Sequence, residues 1–192
     1  MDTEVPTSTR VLDAADALFY AHGVQAVGID RIRDSSGVSL KRLYQCFPSK
    51  GAIVEAYLRR RDKIARGAIE EHIAGYDTPR EQLLALFEWL HAWFQQPGFR
   101  GCAFNNAFGE LGSGSESVTR VVREHKAALR AIFRRLVEGT GVPDPERVTS
   151  QIIVLFDGAI TVGTVSGSPE AALEARDAVS VLLDARMPAS GD

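Results

Sequence analysis

The stretch Gly37-Val38-Ser39-Leu40-Lys41-Arg42-Leu43-Tyr44-Gln45-Cys46-Phe47-Pro48-Ser49-Lys50 leaves this chain few ways to fold. It encodes a tight turn, a short helix and the start of another helix. Gly37 can take the φ > 0 conformation that a sharp turn between helices needs. Ser39 is a good N-cap for a helix running to about Phe47, since its hydroxyl can accept from an otherwise orphaned backbone N–H. At helical spacing Ser39, Leu43, Cys46 and Phe47 fall on one side. Lys41, Tyr44 and Gln45 project from the other, with Arg42 on the flank. An apolar inner face and a basic, hydrogen-bonding outer face suit insertion into a DNA major groove.

The rest of the chain is punctuated as helices. Val11, Leu12, Ala15, Leu18 and Phe19 form the apolar stripe of a helix from about Thr9 to His22, ended by Gly23. A second spans about Ile29 to Ser36, with Ile29 and Ile32 inward. Ser49 caps a longer helix through Ile53, Ala56, Tyr57, Ile64 and Ile69, ending near Gly75. Thr78-Pro79, Asp144-Pro145 and Ser168-Pro169 each pair a capping residue with a proline. Proline is tolerated at the first helical position, where its missing N–H costs nothing. These pairs open helices over about 79–95, 145–166 and 169–186, and another covers about 116–138. Residues 97–115, rich in Gly, Ser and Asn, form loops around a short helical segment. No strand alternation is present, so the expected fold is all-α with about nine helices.

Composition narrows the function. At 45% hydrophobic and 24% charged, the 192 residues match an ordinary globular protein. No unbroken apolar run approaches the roughly 18 residues of a membrane span, and the acidic N-terminus is no secretory signal. Cys46 and Cys102 are too few for a disulfide framework. A cytoplasmic protein that spans no membrane is expected. The net charge of −3 is uneven: residues 1–63 carry 10 Lys/Arg against 8 Asp/Glu, and residues 64–192 carry 12 against 17. A mildly basic head and an acidic body fit localised phosphate contacts.

Catalytic and metal chemistry find little support. Glu88-x-x-His91 has the spacing of helical di-iron sites, but it has no second copy. His22, His72, His91 and His125 are scattered, and there is no glycine-rich phosphate loop or nucleophile elbow. No catalytic residue, metal or cofactor is expected. Cys46 lies beside the DNA-facing surface, where oxidation could in principle block binding.

The body carries Tyr76, Phe87, Trp89, Trp93, Phe94, Phe99, Phe104 and Phe108. Trp89, Trp93, Phe104 and Phe108 suit a pocket for an apolar or aromatic effector, with Asn105, Asn106, Glu110 or His125 as polar anchors. Plain helix packing is the alternative for each aromatic. The segment 145–166 is apolar over much of its circumference, with Val148, Ile152, Ile153, Leu155, Phe156, Ala159, Ile160 and Val162, and should be buried on more than one side. Gly158, Ala159 and Gly163 would allow a close helix approach. Asp157 within it is either a satisfied core or interface residue or an effector contact.

Phe19-Tyr20-Ala21-His22-Gly23, Gly28-Ile29-Asp30-Arg31-Ile32, Gly37-Val38-Ser39, Leu43-Tyr44 and Phe47-Pro48-Ser49-Lys50, in this order and spacing, resemble the DNA-binding domain of the TetR family of transcriptional regulators. The resemblance is strong over about residues 8–60. Gly101-Cys102-Ala103-Phe104-Asn105-Asn106-Ala107 is similar to a motif in the ligand domain of one TetR subgroup. The resemblance implies a helix-turn-helix DNA-binding domain over residues 1–50 and an effector-binding and dimerisation domain over 51–192. Ser39 would cap the recognition helix, Tyr44 and Lys50 would contact phosphates, and Lys41, Arg42 and Gln45 would sit nearest the bases. Arg and Lys can read guanine, and Gln can read adenine. Helices 145–166 and 169–186 would pair with their mates in a four-helix homodimer interface, although a monomer core would use the same residues. Two positions depart from the family. Gly28 stands where threonine is usual, and Arg33 where alanine is usual; Arg33 could supply the charge in place of the lost contact.

The function expected is a dimeric, ligand-responsive regulator, a repressor released from a palindromic double-stranded operator by a small molecule. A helical small-molecule-binding protein without DNA function is the alternative.

Overall fold

The computed structural model describes residues 5–186. Among them are nine helices: α1 Thr7–His22, α2 Ile29–Ser36, α3 Leu40–Cys46, α4 Lys50–Ile73, α5 Pro79–Phe94, α6 Ala103–Leu111, α7 Glu116–Gly139, α8 Pro145–Ser166 and α9 Glu170–Asp184. The all-α expectation holds.

Local chemistry explains most of the boundaries. Thr78 and Glu81 form a reciprocal capping box at the start of α5, with Pro79 in the first turn. Asp144 accepts from the Arg147 N–H at 3.3 Å to start α8. Ser168 does not play that part for α9. Its backbone N–H donates to Ser166 Oγ at 3.1 Å, and Pro169 itself is the N-cap, already near helical dihedrals at φ −69° and ψ −18°. The short helical segment expected among the loops of residues 97–115 is the nine-residue helix α6.

The chain packs as two compact units. Of the described residues, the first takes 5–63 together with Cys102–His125; the second takes Ile64–Gly101 and 126–186. The dividing point between Lys63 and Ile64 falls inside α4. In the first unit, α1, α2 and α3 pack on one another, and Val11, Ala15, Phe19, Ile32, Leu43 and Leu58 are buried. Arg61 braces α4 on α1: it donates to both carboxylate oxygens of Asp16, at 2.7 and 3.0 Å, and lies 3.9 Å over the Tyr20 ring.

In the second unit α9 packs on α5 and α8. Phe156 meets Phe87 and Phe133 edge-on, with centroids 5.8 and 4.9 Å apart. Gly163 lets α8 approach Phe94, since a Cβ there would lie 2.6 Å from the ring. Gly158, by contrast, faces open space. The outer side of α8 is uncovered: Val154 is 71% exposed, Val162 53% and Val165 85%. Burial of α8 on more than one side is therefore not met within one chain. With both sides apolar, α8 is long and apolar enough to cross a membrane by length and composition. The same test is passed by core helices of soluble proteins.

Candidate nucleic-acid interface

Gly37 sits at φ 63° and ψ 27° and donates its N–H to the carbonyls of Arg33 and Asp34, closing α2. The left-handed turn costs glycine little and any other residue more. Arg10 reaches across from α1 and donates through Nη2 to the carbonyls of Ser36 at 2.8 Å and Gly37 at 3.0 Å. Ser39 Oγ then accepts from the Arg42 N–H at 3.4 Å, which starts α3. Leu43 is fully buried and anchors the helix, and Lys41, Arg42, Tyr44 and Gln45 are all exposed. Cys46 is also exposed, not inward. The helix ends there, with Phe47 already in extended conformation, so Leu43 supplies the buried contact. Leu40, absent from the expected set, is an exposed apolar residue on the same helix.

Lys50 is half-buried, and its ammonium donates to the Gln25 carbonyl at 3.4 Å. Burial pulls its pKa below the ordinary lysine value, against the opposing charge of Glu110. Glu110 holds the same turn: its carboxylate accepts from the Gln25 N–H at 2.7 Å, and its carbonyl accepts from the Gln25 side chain. Arg33 is committed to its own helix, paired with Asp30 at 2.9 Å and Asp34 at 2.8 Å. It is therefore poorly placed to replace a lost contact at Gly28. Gly28 caps α2 without a side chain, in open space.

The residues expected to meet an effector fall in two groups. In the second unit Trp89 stacks on Trp93 at 5.5 Å, and Trp93 meets Phe99 edge-on at 5.0 Å. In the first unit Phe104 lies parallel to the buried His125 at 3.5 Å, and His125 Nδ1 donates to the Asp62 carboxylate at 2.7 Å. Asn105 is half-buried and Phe108 is 47% exposed. A cavity of about 410 Å³ between α7 and α8 has Leu129, Phe133, Ile153 and Phe156 in its walls, and none of the residues expected to meet an effector lines it. Asp157 lies at this cavity and pairs with Lys126 at 2.6 Å.

Residues 11–57 match the family of bacterial regulatory proteins, tetR family. A crystal structure of a TetR transcriptional regulator from Streptomyces avermitilis is 30% identical, with a TM-score of 0.83, over 95% of this chain and 98% of that one. The chain belongs to the TetR family of transcriptional regulators. A TetR-family regulator from Streptomyces coelicolor is 29% identical with a TM-score of 0.87, covering 94% and 95% of the two chains. An HTH-type transcriptional regulator of Mycobacterium tuberculosis is 35% identical over 75 residues, 39% of this chain. The match spans 37% of that curated relative's length. The helix-turn-helix of this TetR protein is α2, the turn at Gly37 and α3.

Proposed function

We propose that this TetR-family protein binds a palindromic operator as a homodimer, working in the cytoplasm as a repressor released by a small apolar or aromatic effector. The observation that carries the reading is the exposed face of α3. Lys41, Arg42, Tyr44 and Gln45 all project from a helix fixed at its start by the Gly37 turn and the Ser39 cap. Lys41, Arg42 and Gln45 suit base edges, and Tyr44 and Lys50 suit phosphates.

The dimer reading draws on the apolar outer stripe of α8, where Val154, Gly158, Val162 and Val165 follow helical spacing, with Val181 exposed on α9. Two such surfaces would bury each other in a four-helix contact, and residues 145–166 and 169–186 would supply it. The effector reading draws on the two aromatic groups, Trp89 with Trp93 and Phe104 with His125, and on Asn105 and Phe108 beside the latter in sequence. An effector acts by favouring a state whose two heads no longer match the half-site spacing. A tenfold shift of that balance takes about 1.4 kcal/mol of differential affinity.

The test is binding of purified protein to labelled DNA from upstream of its own gene across a salt series. Tight, competitor-resistant binding with a steep salt slope supports a specific regulator. If neither this fragment nor a genome-wide fragment selection yields specific binding, the helical ligand-binding alternative replaces it.

A further inference from the structure

We infer that Leu40 reads a thymine methyl group in the operator half-site, which makes it a specificity residue beside Lys41, Arg42 and Gln45. The inference rests on the reading of α3 as the DNA-contacting helix. Leu40 is the first residue of α3, directly after the Ser39 cap, and it is 40% exposed. One turn on, Tyr44 is 45% exposed. The two form an apolar ridge on a helix whose other outward residues include Lys41, Arg42 and Gln45. Single exposed leucines are ordinary on protein surfaces. Position separates this one, because the N-terminal residues of a recognition helix are those that meet base edges.

The major-groove edges of the bases are hydrogen-bond donors and acceptors, with one apolar exception, the thymine C5-methyl. Leucine has no polar side-chain atom. Set against a purine N7 or an amino group, it would strip water and return no hydrogen bond. Set against the methyl, it removes apolar surface from water on both partners. Tyr44 has a hydroxyl that can serve a phosphate instead, and Leu40 has no such option.

The experiment begins by letting the full chain select its site from a random duplex pool. Each thymine of the half-site is then replaced singly by deoxyuridine, which removes the methyl and keeps the pairing. Dissociation constants are measured at fixed salt for the wild type and for Leu40→Ala, a change at an exposed position to a strong helix former. The expected result is one thymine per half-site whose replacement weakens the wild type about fourfold, the worth of one buried methyl-sized group. Leu40→Ala should bind the unmodified site correspondingly less well and be indifferent to that replacement. If no thymine is sensitive, or if Leu40→Ala keeps the wild-type loss at every thymine, the inference is overturned while DNA binding stands. If no sequence enriches at all, the DNA-binding reading falls and the inference with it.

Discussion

Arg10 and Gly37 constrain each other across the helix-turn-helix. The guanidinium donates to the Gly37 carbonyl at 3.0 Å, and a Cβ on Gly37 would lie 2.9 Å from Arg10 Nη2. One contact thereby fixes α1, the end of α2 and the turn that aims α3.

Removing either partner should loosen that turn. Arg10→Ala deletes two charge-assisted hydrogen bonds at a half-exposed site and should cost about 1–2 kcal/mol in urea unfolding. Gly37→Ala forces a side chain into φ 63° and against Nη2, at about 1–2 kcal/mol. In the double variant the steric part of the Gly37→Ala cost disappears, so the combined loss should be smaller than the sum. Strict additivity would show that the two residues do not act on each other.

Gly28 offers the opposite kind of change. Its dihedrals, φ −82° and ψ 164°, are ordinary for an N-cap, and nothing lies within 4 Å of an added Cβ. Gly28→Thr should stabilise α2 by a few tenths of a kcal/mol through the cap. Its hydroxyl should also gain a phosphate contact, tightening DNA binding about 2- to 10-fold per subunit. Fluorescence anisotropy at fixed salt reads the second effect; unchanged affinity would place position 28 away from the backbone.

Local signals made the helices legible. The Gly37 turn, the Ser39 cap, and Thr78 and Asp144 ahead of prolines are written in adjacent residues, and the structure uses all of them. What stayed hidden is non-local. Arg10 finds its acceptors 26 and 27 residues away, and His125 finds Asp62 63 residues away; no spacing rule links such positions. The grouping of Cys102–His125 with the head likewise depends on packing alone. Helical spacing puts Cys46 inward, but the seven-residue α3 buries one residue, Leu43, and ends at Cys46, which is exposed. The periodicity of α8 correctly showed apolar residues around most of the helix, but it could not say which side one chain would leave bare.

That bare side supplies a test of the proposed dimer. Val165 is 85% exposed, so Val165→Asp should leave the folded chain intact. In a symmetric interface it would place a carboxylate against apolar surface in both copies. Sedimentation should show dimer for the wild type and monomer for Val165→Asp at micromolar concentration, with operator affinity falling in parallel. A variant that sediments as the wild type does would remove this stripe from the interface.

Lys50 holds a weak hydrogen bond, 3.4 Å to the Gln25 carbonyl, while burial lowers its pKa and Glu110 opposes that shift. A phosphate at this point would replace a neutral acceptor with an anion, and the ammonium would gain by the exchange. Lys50→Ala should therefore weaken binding to every DNA sequence and lower the slope of log K against log salt by about one per subunit. Arg42→Ala should behave differently, relaxing base preference with a smaller loss on random DNA. Binding isotherms for both variants on operator and random duplex, at four salt concentrations, separate the two roles. A Lys50→Ala protein with the wild-type slope would leave Lys50 as a brace for the α1–α2 turn, with no part in holding the DNA backbone.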